Sequence, residues 1–225
     1  ASHSLVEGTR ELHILQRLLF AYLAHPALLR DAPAAQLQRW GERFMAEAAP
    51  YRKTHRPFFI DKSPDNWRLT AAIMVVLPRA KLVDVRRHPL SCGYSNFRQH
   101  YPGGFDFAYS QQDIGQYYAE YVRFMAHMDR VQPGRVHRVV YESLVENTEQ
   151  EVRALLAYCG LDFEPTCLAF HTTRRAVATP SAEQVRRPIN RDGMDGYIPF
   201  EPWLGPLKEA LGPVLTHYPQ VPPGW

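Results

Sequence analysis

The sequence predicts an α/β fold, a parallel sheet flanked by helices in three layers. Two observations carry this. Short apolar runs that end in polar residues alternate with segments of helical period. The first of these runs, Pro57 to Asp61, is apolar up to its closing charge, as a buried parallel strand is.

Taken in order, Leu12 to Leu29 has Leu, Ala and Phe at helical spacing, and Pro33 opens a second amphipathic helix from Ala34 to Ala49. Pro57 to Asp61 reads as a buried strand with Asp61 and Lys62 at its carboxyl end. Asn66 to Leu77 is helical and is stopped by Pro78, and Lys81 to Arg86 is a second strand, so the three form a βαβ unit. A helix from Pro89 to His100, an aromatic glycine-containing turn and a long helix from Asp113 to Met128 follow. Val136 to Tyr141 is the third strand. Asn147 as N-cap, Gln150 three residues on and Gly160 as stop define a helix from Thr148 to Cys159. The tract from His171 to Tyr197 has no sustained period, so residues 171–200 are expected to be a loop or lid, and 218–225 an irregular tail.

Composition narrows the class of function. With 225 residues, 45% of them hydrophobic, one domain spanning 1–225 is expected. A net charge of +3 is too small for a non-specific nucleic-acid binder, so the basic residues are better used in a local anion pocket. The three cysteines lack CxxC spacing, which argues against a zinc site and points to a reducing, cytoplasmic compartment. No apolar stretch reaches the roughly 18–20 residues of a membrane helix, so no membrane segment is expected.

Ligands of open parallel sheets bind beyond the carboxyl ends of the strands. Three such ends are polar. The first carries Lys62, which is alternatively a solvated turn lysine. The second carries Arg87, with Ser95 eight residues later on the following helix, an arrangement able to grip one phosphate. The third carries Tyr141, alternatively a core aromatic with a wet tip.

Together the segments DKSP, VRRHPLSCGYSNF and VVYESL resemble the PAPS-dependent sulfotransferases, in particular the tyrosylprotein sulfotransferases and their bacterial relatives. HSLVEGTREL near the start and TPSAEQVRRPI before Tyr197 extend the resemblance from Ser2 to about Leu211. It implies a P-loop nucleotide-hydrolase-like fold. It also implies 3′-phosphoadenosine 5′-phosphosulfate (PAPS) as donor, 3′-phosphoadenosine 5′-phosphate (PAP) as product, and no metal. Arg87 and Ser95 would hold the 3′-phosphate, with Arg98 as a weaker companion and Tyr141 beside the nucleotide. Lys62 would be the catalytic lysine, Ser181 the serine approaching the sulfuryl group, and Glu11 the base. Gly196 stands where the family is often basic, and Arg187, with Arg186 and Arg191, is the candidate to compensate. Family members carry a PRSGTT-like loop before the segment that begins here at Ala1, so the chain is expected to lack its first strand and phosphate loop and to come from a longer parent.

Sulfuryl transfer places negative charge on the bridging oxygen of the leaving nucleotide. Lys62 and Ser181 are suited to that charge, and one well-placed donor contributes about 3 kcal/mol. An acceptor phenol, with an ordinary pKa of about 10, needs a base such as Glu11. The expected partners are PAPS and either a polypeptide tyrosine or a small hydroxylated molecule, with no nucleic acid; a homodimer stays open. Two other readings stay open as well: a P-loop kinase-like phosphotransferase, and a degenerate module that binds an anion or nucleotide without turnover.

Overall fold

The computed structural model describes residues 1–101, 103–173 and 186–225. In chain order the elements are β1 (Val6–Gly8), α1 (Ile14–Ala24), α2 (Ala27–Arg30), α3 (Ala34–Ala48), β2 (Phe58–Ile60), α4 (Thr70–Val76), β3 (Leu82–Arg86), α5 (Pro89–Phe97), α6 (Gln111–Val131), β4 (Val136–Val140), α7 (Tyr141–Glu146), α8 (Thr148–Cys159), α9 (Gly205–Leu211) and α10 (Pro213–His217). Two compact units divide them, Ala1–Leu82 with Val152–Pro188, and Val83–Glu151 with Ile189–Trp225.

In the first unit β1 and β2 pair in parallel, Val6 opposite Phe58 and Gly8 opposite Ile60. The ladder is only three residues long, and side chains reinforce it. Thr9 Oγ1 donates to the Ile60 carbonyl at 2.6 Å, and Arg56 Nη1 donates to the carbonyls of His3 and Val6, both at 3.0 Å. The core beneath the helices is Leu12, Ile14, Leu15, Leu19, Phe44, Ala48, Leu69, Ala72, Ile73 and Val76.

The second unit pairs β3 with β4. Helix α6 starts at Ser110, whose Oγ accepts the Asp113 N–H at 3.2 Å, the cap that satisfies a helix-end donor. It packs on α9 closely because Gly115 faces Ala210: an added Cβ would meet the Ala210 Cβ at 2.6 Å. Leu90, Ile114, Tyr118, Val122, Leu204, Leu207, Leu211 and Val214 form this unit's core, and the closing segment joins it through Val221 and Trp225. Among the described residues no helix is long and apolar enough to cross a membrane.

Several boundaries differ from the expectation. The first helix breaks after Ala24 because Pro26 has no N–H and disfavours helical geometry at His25, which adopts φ −133° and ψ 74°. The predicted helix Asn66–Leu77 begins as a 3-10 turn, Pro64–Leu69, before α4. The strands assigned to one βαβ unit belong to different ladders: residues 58–60 pair with 6–8, and 82–86 with 136–140.

Gly41, midway along α3, allows that helix to approach α4. An added Cβ would lie 2.4 Å from the Val76 carbonyl oxygen, a backbone atom that cannot swing aside. Gly41→Ala gains about 1 kcal/mol of helix propensity but meets an overpacking cost of about 1–3 kcal/mol. We expect a net loss of stability, read as a lower urea midpoint; an unchanged midpoint would mean that α3 and α4 separate at no cost.

Candidate active site

The first unit brings Glu11 and Lys62 together. Because β1 and β2 are parallel, their carboxyl ends lie side by side. Glu11 follows Gly8 by three residues and Lys62 follows Ile60 by two. Lys62 Nζ donates to Glu11 Oε1, with the lysine side chain 63% exposed and the glutamate 29%. Glu11 therefore is no helix-dipole carboxylate: α1 begins at Ile14 and has no acid in its first turn. Asp61 turns the other way and accepts the Leu12 N–H at 3.4 Å, tying the end of β2 to the entry of α1. Burial raises the Asp61 carboxyl above its ordinary range, against the opposing effect of that N–H.

The second unit gathers Arg87 and Tyr141. The Arg87 guanidinium lies 5.7 Å from the centre of the Tyr141 ring, and its Nη2 donates to the Ser91 carbonyl at 2.8 Å. Its Nε is buried and has no hydrogen-bond partner among the described residues. The arginine rests on the carbonyl one turn before Ser95, which is exposed on α5. Ser91, Ser95 and Arg98 follow at helical spacing along that helix, with Arg98 at its C-cap and its guanidinium 5.5 Å from the Tyr94 ring centre. Tyr141 is the first residue of α7, directly after β4. Its hydroxyl sits against Gly193, where an added Cβ would be 2.7 Å away.

Around Arg87 stand residues that the sequence reading passed over. Tyr118 Oη donates to the Arg87 carbonyl at 2.6 Å, and the His88 N–H donates to Glu142 Oε1 at 3.0 Å. Tyr218 Oη donates to Glu142 Oε2. The His88 ring stacks on Tyr197 with centroids 5.5 Å apart and meets the edge of Tyr218 at 5.2 Å. Burial lowers the His88 pKa, so its ring is favoured as the neutral form. Burial also raises the Tyr118 phenol far above its ordinary value, so it remains a donor. Arg187 is exposed in the first unit, and Ser181 lies outside the described residues.

One step inside Arg87, Arg86 is 1% exposed. Its Nη2 lies 3.6 Å from Asp84 Oδ2, and its Nε donates to Tyr121 Oη at 3.3 Å. Asp84 also accepts from Arg138 Nε at 2.9 Å and from the Tyr121 hydroxyl, while Arg138 Nη1 donates to Asp129 at 2.8 Å. Burial would lower the Arg138 pKa, but the two carboxylates outweigh it.

Comparison with known proteins decides what these parts belong to. The model of the Sulfotransferase family matches residues 2–165. The chain belongs to the sulfotransferase family. Two solved structures share the fold of this sulfotransferase. The sulfotransferase domain from the Synechococcus PCC 7002 olefin synthase has a TM-score of 0.61 at 20% identity, over 88% of this chain and 79% of that one. The sulfotransferase domain from the curacin biosynthetic pathway has a TM-score of 0.53 at 17% identity, over 84% and 71%. An uncharacterized protein of Aquifex aeolicus (strain VF5) is 28% identical over 226 residues, 93% of this chain and 29% of that protein. The chain thus spans less than a third of the length of that relative.

The α/β sulfotransferase fold stands as expected from sequence. Its second unit depends on Asp84. Asp84→Ala leaves the buried Arg86 and the half-buried Arg138 without their shared carboxylate, an imbalance expected to cost about 3–5 kcal/mol. Urea unfolding checks this, and a loss below about 1 kcal/mol would mean that water reaches the guanidinium groups.

Proposed function

We propose that the chain catalyses transfer of a sulfuryl group from PAPS to an acceptor hydroxyl. The observation that carries this reading is the pairing of Lys62 with Glu11 at two adjacent strand ends. A cation and a base held side by side are what the reaction requires of a protein: charge opposite a leaving oxygen and an acceptor for a hydroxyl proton. The donor supplies an activated sulfuryl group on an anionic nucleotide. For its 3′-phosphate the chain offers Arg87, whose buried Nε lacks a partner among the described residues, with Ser95 and Arg98 further along α5 and Tyr141 beside the arginine. Ser181 and Arg187 complete the proposed set, the serine on the sulfuryl group and the arginine as an additional donor.

Asp84 disfavours the kinase-like reading, since it already answers Arg138, Arg86 and Tyr121 and would have to give up those partners to serve a magnesium site. For the acceptor we propose a protein tyrosine, supported by the resemblance of the Glu11 and Ser181 segments to tyrosine-sulfating enzymes. A small hydroxylated molecule is the second reading, supported by the two structural neighbours, whose descriptions place them in a biosynthetic pathway and an olefin synthase. Transfer of radiolabelled sulfate from PAPS to acidic tyrosine peptides, compared with phenols and sugars, separates the two.

Lys62→Ala is expected to lower kcat by about 100-fold while leaving the donor KM within about threefold. Arg87→Ala is expected to raise the donor KM by about 10- to 100-fold, as loss of a charge-assisted contact does. Steady-state kinetics with PAPS checks both, and full turnover by Lys62→Ala would remove the chemistry from that strand end.

A further inference from the structure

We infer that Glu142 and Tyr118 are positioning residues that clamp the Arg87–His88 peptide and so aim the Arg87 guanidinium. The inference rests on the reading that Arg87 holds the donor's 3′-phosphate. The Arg87 carbonyl and the His88 N–H belong to one planar peptide unit. Tyr118 Oη donates to that carbonyl at 2.6 Å, and Glu142 Oε1 accepts from that N–H at 3.0 Å. With both of its polar ends bonded to side chains, the plane cannot rotate without breaking a hydrogen bond.

The residues on either side narrow the freedom further. His88 precedes Pro89, which disfavours helical geometry there, and it adopts φ −44° and ψ 129°. Its ring is held between Tyr197 and Tyr218. Pro89 is the first residue of α5, so the helix that carries Ser91, Ser95 and Arg98 starts from the clamped unit. A rotation of the 87–88 peptide would therefore change how Arg87 is set relative to this helix.

Glu142 suits the role because both of its oxygens are engaged. Oε1 takes the peptide N–H and Oε2 takes the Tyr218 hydroxyl, so a single carboxylate links the 87–89 turn, the start of α7 and the residue after α10. It is also the neighbour of Tyr141, over which the Arg87 guanidinium lies. The sequence pair Tyr141–Glu142 thus supports the arginine twice, by its ring and through its backbone.

The test measures PAP binding by calorimetry and PAPS kinetics on the full-length protein. Glu142→Ala is expected to weaken PAP binding about 10-fold, with kcat at saturating PAPS within about threefold, because it leaves the His88 N–H without its acceptor. Glu142→Gln keeps an oxygen for that N–H and is expected to restore binding to within about threefold. In an Arg87→Ala background, Glu142→Ala is expected to change binding by less than about twofold, since the two act through one group. Tyr118→Phe removes only a hydroxyl and provides the same reading if Glu142→Ala does not fold; it too is expected to weaken PAP binding with little change in kcat. The clamp is overturned if Glu142→Gln binds as weakly as Glu142→Ala, if the Glu142→Ala loss persists in the Arg87→Ala background, or if Glu142→Ala and Tyr118→Phe both bind PAP like the parent. If Arg87→Ala alone leaves PAP binding unchanged, the 3′-phosphate reading falls as well.

Discussion

A guanidinium that is 1% exposed has to be answered by carboxylate, and Arg86 sets that demand at the end of β3. Asp84, two residues earlier on the same strand, answers it and recruits Arg138 from β4, and Arg138 recruits Asp129 from α6. The strand pair and the long helix of the second unit are thereby fixed to one another by charge as well as by apolar packing. The consequence for the site comes from the next residue. Arg86 is spent on the interior, and Arg87, immediately after the strand, is directed to the Ser91 carbonyl and the Tyr141 ring. Two consecutive arginines thus have opposite uses, and the first holds the strand from which the second is presented.

The first unit reaches a similar end by different means. Its ladder has too few rungs to hold two strand ends in register unaided, yet Glu11 and Lys62 meet. Side chains and backbone groups around the ladder do the holding. Glu7 accepts the Thr54 N–H at 2.8 Å and also that of Lys53, Arg56 takes the carbonyls of His3 and Val6, and Asp61 takes the Leu12 N–H. The pairing of acid and lysine is therefore a property of the whole entry segment from His3 to Leu12, a stretch with little periodicity of its own.

Legibility in the sequence followed from how local each signal is. Helix α8 was found at Thr148–Cys159 because its cap and its glycine stop are both within the segment, and α3 because Pro33 marks its start. The strand β1 was missed: three residues, one of them Val6, give no alternation to detect, and its partner lies some fifty residues away. Strand pairing was misread for the same reason, since adjacency along the chain suggested a partner that tertiary packing did not supply. Arg87, Tyr141 and Lys62 were candidates from the sequence because strand ends and family resemblance both point to them. Glu142 and Tyr118 were not, because their partners are backbone atoms of residues 87 and 88, and no side-chain pattern announces a backbone contact.

The clamp also bears on where affinity for an anion can come from. A carboxylate bonded beside Arg87 opposes an incoming anion electrostatically, so its presence is not explained by local charge. In the second unit, Arg86 and Arg138 are balanced by Asp84 and Asp129, so the interior network adds no net charge. The whole chain adds little, with a net charge of +3. A broad positive field is therefore a poor account of anion capture by this protein. What is left is direction: a guanidinium with a buried Nε, set by a fixed peptide at the entry to a helix that carries hydroxyls along its length. Affinity built from aimed donors depends steeply on geometry, and this gives a physical reason for placing a negative charge where it costs attraction but holds the peptide still.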